Sequence, residues 1–429
     1  MEIKMSYPET LAYLYSRLPM YHRVGAVAFK KDLTNTLALC AHLGNPHLQF
    51  PSVHVAGTNG KGSVSHMLAA IAQAAGLKTG LYTSPHYKDF RERIKVNGQL
   101  MPRKAVVDFV ANNRDALEQI QPSFFEATVA MAFDHFAREK VDLAIVEVGL
   151  GGRLDSTNVI TPLLSVITNI SYDHMDMLGD TLPLIAAEKA GIIKPGVPVV
   201  IGESHPETMS IFIDKAQATA STVVFADQRL RVTELPANAP AHSRFDVWAN
   251  GVLTYPNLLV QAAGPYLPAN LTTLLEAWHH IPQVSETAMR HGLAHLQSLT
   301  RYMGRWQFIG DRPVVLCDSA HNEAGLRSAF SRICTMPYRK LHVVTGFVQD
   351  KDLGKALPLF PTQARYYFAK ADIPRGLDAE ALRLQANSYG LHGRAYRSVK
   401  YALRAARRAA APDDLIVVIG SIFVVAEVV

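Results

Sequence analysis

The sequence predicts an α/β chain built from two doubly wound, mainly parallel sheets, the first larger than the second. Three observations carry this. Continuous apolar runs (Ser52–Ala56, VDLAIVEVG at 141–149, Leu163–Ile170, Val197–Ile201) alternate with longer stretches whose apolar residues recur at three and four. A glycine-rich turn, GTNGKGS at 57–63, joins the first run to a helix. The alternation lapses over a polar, Pro-punctuated stretch at 227–258 and resumes beyond residue 300 with four more apolar runs.

At 429 residues the chain exceeds one ordinary core. The division expected is 1–298, a P-loop-type doubly wound domain with a peripheral β segment, and 299–429, a smaller Rossmann-like α/β domain. Hydrophobic content of 48% with 19% charged residues describes a soluble globular protein. The net charge of +6 gathers near the C-terminus, where Arg394, Arg397, Lys400, Arg404, Arg407 and Arg408 follow the spacing of one helix face. No aromatic residues interleave as nucleic-acid binding needs, so the face reads as solvated, and no nucleic-acid partner is expected. An anionic substrate accounts for the charge as well. Three cysteines without CxxC spacing exclude metal ribbons and disulfide scaffolds. No signal peptide and no apolar run of about 20 residues is present, so the expected compartment is the cytoplasm, with no membrane partner.

In chain order, helices are expected at Tyr7–Leu18 and Leu33–His42, with an irregular basic loop between them. The strand Ser52–Ala56 leads through the glycine turn to a helix buried along Val64, Met67, Leu68, Ile71 and Ala75 and capped at Gly76. Lys78–Thr83 is the second strand, and RIKVNGQLM turns as a hairpin on Asn97-Gly98. Helices follow at Arg103–Gln119 and Phe124–Arg138, then the apolar strands and Thr222–Phe225. Helices at Asn270–His279 and Glu286–His295 lead to a linker at Ser298–Gly304. The second domain's strands are Pro313–Cys317, Leu341–Thr345, Arg365–Phe368 and Leu415–Ile419.

The glycine turn carries the clearest chemistry. Amides of Gly57, Thr58, Asn59, Gly60 and Gly62 can converge on an anion, and the helix N-terminus adds about half a positive charge. Lys61 reaches the outer phosphates and Ser63 is placed to touch Mg²⁺. The string departs from the ordinary P-loop: Val55 replaces its first glycine and Gly62 separates Lys61 from Ser63. Glu147 is the single charge in LAIVEVGLGG, at the carboxyl end of a buried strand, where an acid holds Mg²⁺. His174, in SYDHMD, and Ser84, in TSPH, end neighbouring strands at the same rim and read as ligands of a second ion. Lys189 lies on a mostly apolar helix; a partly buried amine has a lowered pKa and can add CO₂ to form a carbamate, though a snorkelling or ion-paired lysine fits the spacing equally. Asp155 follows the glycine pair near this rim.

With these pieces in place the chain resembles folylpolyglutamate synthases, often bifunctional with dihydrofolate synthase, of the Mur ligase superfamily. VAGTNGKGS, TSPHYKDFRERI, SFFEATVAMAF, VDLAIVEVGLGGRLDSTNVI, SYDHMDMLGDTLPLIAAEKAGIIKPG, MGRWQ, CDSAHN, TGFVQDKD and VIGSIFVVAEVV carry the likeness in order over essentially the whole length. The resemblance implies an ATP-dependent ligase that binds ATP between two domains, with Mg²⁺, two ions in all, at Ser84, Glu147 and His174. It implies a carbamate on Lys189, nucleotide contacts at Asn270, Arg305 and Asp318, and His321 in the same family string as Asp318. Pterin contacts are implied at Ser123, Phe124, Phe125, Glu126, Leu154, Asp155 and Ser156, with the loop Arg23–Lys30 closing over substrate. Departures are GPYLPAN before Asn270, Met303 before Gly304-Arg305, and Ser319 in DSAHN.

The implied substrates are a folate or dihydropteroate and L-glutamate, and the implied state is a monomer. Phosphoryl transfer from ATP turns the carboxylate into an acyl phosphate that the glutamate amine attacks. Two alternatives stand beside this: another Mur-type amino-acid ligase, and a nucleotide-binding module without catalysis.

Overall fold

The computed structural model describes residues 5–19, 32–236, 241–349 and 351–429; the loop Arg23–Lys30 lies outside them. The chain forms two compact units. One comprises Met1–Glu234, Phe245–Leu259 and Pro268–Arg301, the other Leu235–Arg244, Val260–Leu267 and Tyr302–Val429.

The first unit is built on eight strands: β1 (Ser52–Ala56), β2 (Thr79–Tyr82), β3 (Ile94–Val96), β4 (Gln99–Leu100), β5 (Leu143–Glu147), β6 (Leu164–Ile167), β7 (Val199–Ile201) and β8 (Val223–Phe225). Their order is β4-β3-β2-β5-β1-β6-β7-β8. The six strands from β2 to β8 in that order run parallel. The β3–β4 hairpin turns on Asn97 and Gly98, both at positive φ, and lies antiparallel to β2. The chain runs from β1 to β2 on one side and later from β5 across β1 to β6 on the other. The crevice between β5 and β6 at the end of β1 is therefore the topological switch point, where parallel sheets place ligands.

Burial explains why the apolar runs became strands. β1, β2, β5, β6 and β7 are buried along their whole length, as helices on both faces require. The helix Lys61–Ala74 is buried from Ser63 to Ala72, and Gly292 of the helix Glu286–Ala294 presses on it. A Cβ at Gly292 would lie 2.7 Å from the Ile71 backbone.

Two expectations are corrected here. The stretch Arg103–Gln119 is two helices, Arg103–Asn112 and Arg114–Ile120. Asn113 breaks it, because its side-chain amide bonds the Phe109 carbonyl at 2.8 Å and its own oxygen meets His42 Nε2 at 3.1 Å, so the local polar bonds displace a helical turn. The expected linker begins as a short helix, Leu296–Thr300. A separate three-stranded sheet, β9 (Leu230–Leu235), β10 (Ser243–Ala249) and β11 (Val252–Val260) in the order β11-β10-β9, forms the peripheral segment.

The second unit carries β12 (Gln307–Asp311), β13 (Val314–Asp318), β14 (Leu341–Thr345), β15 (Arg365–Ala369), β16 (Gly393–Tyr396) and β17 (Leu415–Ile419), in the order β12-β13-β17-β14-β15-β16. All are parallel except β12, which pairs antiparallel with β13. The four apolar runs are the inner strands. The additional β12 and β16 are edges, half-buried and mixed in polarity, which is why no apolar run announces them. The basic helix Val399–Ala409 buries Val399, Ala402, Leu403 and Ala406 and turns its arginines to solvent. Among the described residues no helix is long and apolar enough to cross a membrane.

Candidate active site

The register pairs Val55 with Glu147 and Ala56 with Ile167, so the loop after β1 opens between the ends of β5 and β6. Gly57 has φ +138° and Gly60 φ +85°, and these two angles turn the strand into the helix. Space makes the same demand: a Cβ at Gly57 would meet Thr168 Oγ1 at 1.9 Å, and one at Gly60 would meet Asn270 Oδ1 at 2.1 Å.

The segment after β6 holds this loop from below. Asn169 accepts the Thr58 amide at 2.9 Å with its carbonyl and the Asn59 amide at 3.0 Å with its side chain. Thr168 Oγ1 donates to the Asn59 carbonyl at 2.5 Å, and Ser171 exchanges hydrogen bonds with Thr58 and Asn59. The loop is thereby fixed with the helix N-terminus facing out of the crevice, the geometry of an anion cradle.

Two amines converge beneath it. Lys61 Nζ donates to the carbonyls of Gly57 and Thr58 at 3.0 and 3.1 Å, and Lys189 Nζ, from the helix Leu182–Ala190, donates to the same Gly57 carbonyl at 3.0 Å. Lys189 is 3% exposed, and burial, then the Lys61 charge, pull its pKa down to about 7. One of the two amines is therefore poised to be neutral near physiological pH.

Glu147, 4% exposed, ends β5 and accepts the Ser84 amide at 3.1 Å. Both of its oxygens lie 3.6 Å from the place a Gly62 Cβ would fill, so the carboxylate stands at the first turn of the phosphate helix beside buried Ser63. Ser84 is held by a cis bond to Pro85. His174 sits at φ 49° with Nε2 3.9 Å from Asp173 Oδ2. Among the described residues no three His, Cys, Asp or Glu side chains gather as a ready metal cluster. The structure thus joins Ser84 to Glu147 at the helix turn that carries Gly62 and Ser63, and sets His174 beside Asp173.

The acids and rings beyond the loop have distinct tasks. Asp155 is buried and accepts the amides of Leu150 and Thr157 and the Thr157 hydroxyl, at 2.8, 3.0 and 2.5 Å. It pins the glycine loop after β5, with burial raising its pKa. Half-buried Leu154 and buried Ser156 flank it. Ser123 and Glu126 form a reciprocal capping box on the helix Phe124–Glu139, at 3.2 and 2.6 Å. Phe125 lies over Gly149, whose Cβ would sit 2.3 Å from the ring, and packs edge-on to Tyr82. Phe124 is buried against Phe90 and carries the Arg93 guanidinium over its ring at 5.4 Å.

In the second unit, Asp318 ends β13 fully buried. It accepts the Tyr266 hydroxyl, the Trp306 amide at 2.8 Å and the Ala320 amide at 2.8 Å, and burial raises its pKa while neighbouring Arg305 opposes the rise. His321 Nδ1 is 3.0 Å from the Ser319 carbonyl.

Residues 55–235 match the Mur ligase middle domain, and 304–422 the Mur ligase glutamate ligase domain. The chain is 33% identical over 445 residues to folylpolyglutamate synthase of Lacticaseibacillus casei, covering 99% of this chain and 98% of that protein. The chain belongs to the folylpolyglutamate synthase family. It is 34% identical to the dihydrofolate synthase/folylpolyglutamate synthase of Bacillus subtilis over 88% of each chain. It spans half the length of a probable bifunctional folylpolyglutamate synthase/dihydropteroate synthase of Haloferax volcanii. Its fold matches E. coli FolC solved with DHPP and ADP, at a TM-score of 0.85 and 31% identity over 99% of this chain and 97% of that one.

Several residues that build this folylpolyglutamate synthase site were not singled out from sequence. Thr168, Asn169 and Ser171 hold the loop, and the polar string TNIS closing an apolar strand was their only signal. Tyr266 sits inside GPYLPAN, the string that departs from the family, yet its hydroxyl serves Asp318. Arg93 is 2% exposed and bonds His86 at 2.8 Å, and nothing in the sequence marked it as interior.

Proposed function

We propose that this protein joins L-glutamate to the carboxylate of a folate, and to dihydropteroate, at the cost of one ATP, through an acyl phosphate. The observation that supports it best is the convergence of Lys61 and Lys189 on the Gly57 carbonyl beneath a loop that a buried Glu147 faces. A carboxylate resists amines because oxide is a poor leaving group; phosphorylation replaces it with phosphate. The protein's share of such a transfer is positioning and charge neutralisation.

In this reading the amides of Gly57–Ser63 and Lys61 bind the triphosphate of ATP. Asn270 borders Gly60, and Arg305 and Asp318 are assigned to the nucleotide as well. Phe125 and the loop of Leu154 to Ser156 contact the pterin, with Ser123, Phe124 and Glu126 positioning that wall. His321 receives the incoming glutamate. Glu147, Ser63, Ser84 and His174 offer the hard oxygen and imidazole donors that suit Mg²⁺, and Glu147's buried carboxylate at the cradle fits a cation. Bound there, Mg²⁺ neutralises phosphate charge. The protein acts as a monomer in the cytoplasm.

The test is phosphate release from ATP with dihydropteroate or a tetrahydrofolate, with and without glutamate. Wild type releases phosphate only when both co-substrates are present. Lys61→Ala remains folded and loses at least about 10²-fold in turnover. Full turnover in that variant removes Lys61 from the mechanism.

A further inference from the structure

The ligase chemistry leaves a buried histidine without a task. His54 lies in the middle of β1, between Val146 of β5 and Ser165 of β6, and is wholly shut from solvent. Its Nε2 meets the Thr157 hydroxyl at 2.8 Å, and that hydroxyl meets Asp155 Oδ1 at 2.5 Å. All three side chains are buried. A strand imidazole is thus joined through one hydroxyl to the carboxylate that pins the glycine loop after β5.

The direction of the two hydrogen bonds follows from what each group can do. Asp155 already accepts the Thr157 amide on Oδ1 at 3.0 Å and the Leu150 amide on Oδ2 at 2.8 Å, so both oxygens act as acceptors. The short contact to the Thr157 hydroxyl is then that of a hydroxyl donating to a carboxylate. With its proton committed there, Thr157 Oγ1 has only lone pairs left for His54, and Nε2 must carry the imidazole hydrogen. Nδ1 is left as a lone pair, and among the described residues it has no hydrogen-bond partner. The reverse arrangement, with a proton on Asp155 and Thr157 donating to Nε2, would put an N–H in that same place. Native interiors tolerate an orphaned acceptor better than an orphaned N–H. Burial, reinforced by the charge of Lys194, holds the His54 pKa at about 3, so the ring stays neutral.

We infer that His54 is a positioning residue for the pterin wall: through Thr157 it fixes the Asp155 carboxylate, and with it the loop of Leu150 to Ser156 against which the substrate's ring is held. The inference rests on the ligase reading for the identity of that ring.

Two features confine the effect to that wall. Asn158, in the same turn as Thr157, donates to the carbonyls of Arg153 at 3.0 Å and Gly191 at 3.1 Å, so the loop stays anchored when the relay is cut. The phosphate loop hangs on Thr168, Asn169 and Ser171 by a separate set of hydrogen bonds. Loss of the relay therefore weakens the pterin substrate and spares ATP.

The experiment pairs a spectrum with kinetics. Long-range proton–nitrogen NMR of the histidine-labelled wild type reads the tautomer. His54 is expected as a neutral Nε2–H ring that does not titrate between about pH 5 and 9. An Nδ1–H ring, or titration in that window, overturns the inference. Steady-state kinetics then separate placement from packing. His54→Leu fills the space without the donor and raises KM for dihydropteroate about five- to tenfold, the loss of one buried hydrogen bond, while KM for ATP stays within about twofold. His54→Gln, whose amide N–H reaches the place of Nε2, brings the dihydropteroate KM back to within about twofold of wild type. Thr157→Val gives the same rise as His54→Leu, and combining the two adds nothing further. A core role alone predicts that Leu and Gln lower the melting temperature together and leave both KM values alone. That result overturns the inference, as does equal weakening of ATP and dihydropteroate. Should the variants fail to fold, the wild-type tautomer decides. A folded protein with no glutamate-dependent phosphate release would sink the ligase reading instead, and equilibrium titration with dihydropteroate would still compare His54→Leu with wild type.

Discussion

Replacing Lys189 with methionine tests the electrostatics beneath the phosphate loop. The amine is 3% exposed, and its pKa falls from an ordinary 10.5 to about 7, through burial first and Lys61 second. That gap corresponds to roughly 5 kcal/mol between the two protonation states. Below pH 7 the folded and unfolded chains both hold the proton, and the folded state bears the whole cost of a buried ammonium. Between about 7 and 10.5 the unfolded chain keeps a proton that the folded chain has released, so stability rises with pH, by up to roughly 1.4 kcal/mol per unit. Above that window the amine is neutral in both states and the cost is gone.

Lys189→Met removes the titration while forfeiting one hydrogen bond to Gly57, worth about 1 kcal/mol. The variant is expected to be more stable than wild type at pH 6, by on the order of 2–4 kcal/mol, with the advantage vanishing toward pH 10. Urea unfolding of both proteins from pH 6 to 9.5 in CO₂-free buffer measures this directly. ATP turnover should fall sharply in the same variant, because this amine meets the Gly57 carbonyl of the phosphate loop. Parallel stability curves, displaced by a constant amount, would refute the reasoning.

The other predictions are briefer. Gly60→Ala places a methyl 2.1 Å from Asn270 Oδ1 at a φ of +85°, and should cost about 1–3 kcal/mol together with ATP affinity. Adding Asn270→Ala relieves the collision but not the backbone angle, so thermal melts should recover partly while nucleotide titrations do not. Glu126→Ala removes half of the capping box on the helix Phe124–Glu139 and should cost about 1 kcal/mol with little change in folate KM. A large KM rise there would assign Glu126 to the substrate rather than to the helix. The Lys61→Ala turnover assay completes the set.

The sequence by itself determined the strands that parallel sheets bury and the glycine turn with its lysine. Each is written in contiguous residues: apolar runs, glycines at angles few other residues adopt, and a helix start. Glu147 was legible for a related reason, since one charge in an apolar run is costly unless it has work. Edge strands β12 and β16 escaped because half-buried strands need no apolar run. The break at Asn113 escaped because it depends on His42, far away in the chain.

What only the tertiary structure decided is which distant groups share one atom's surroundings. Lys61 and Lys189 are separated by over a hundred residues, yet both point at the Gly57 carbonyl, and that meeting, with burial, sets the lysine's proton affinity. Ser123 and Glu126 spell a capping box in sequence, but only the packed helix shows that they answer each other. Local pattern fixes backbone conformation through sterics and burial. Charge states and partners arise from three-dimensional proximity, which no single stretch of chain contains.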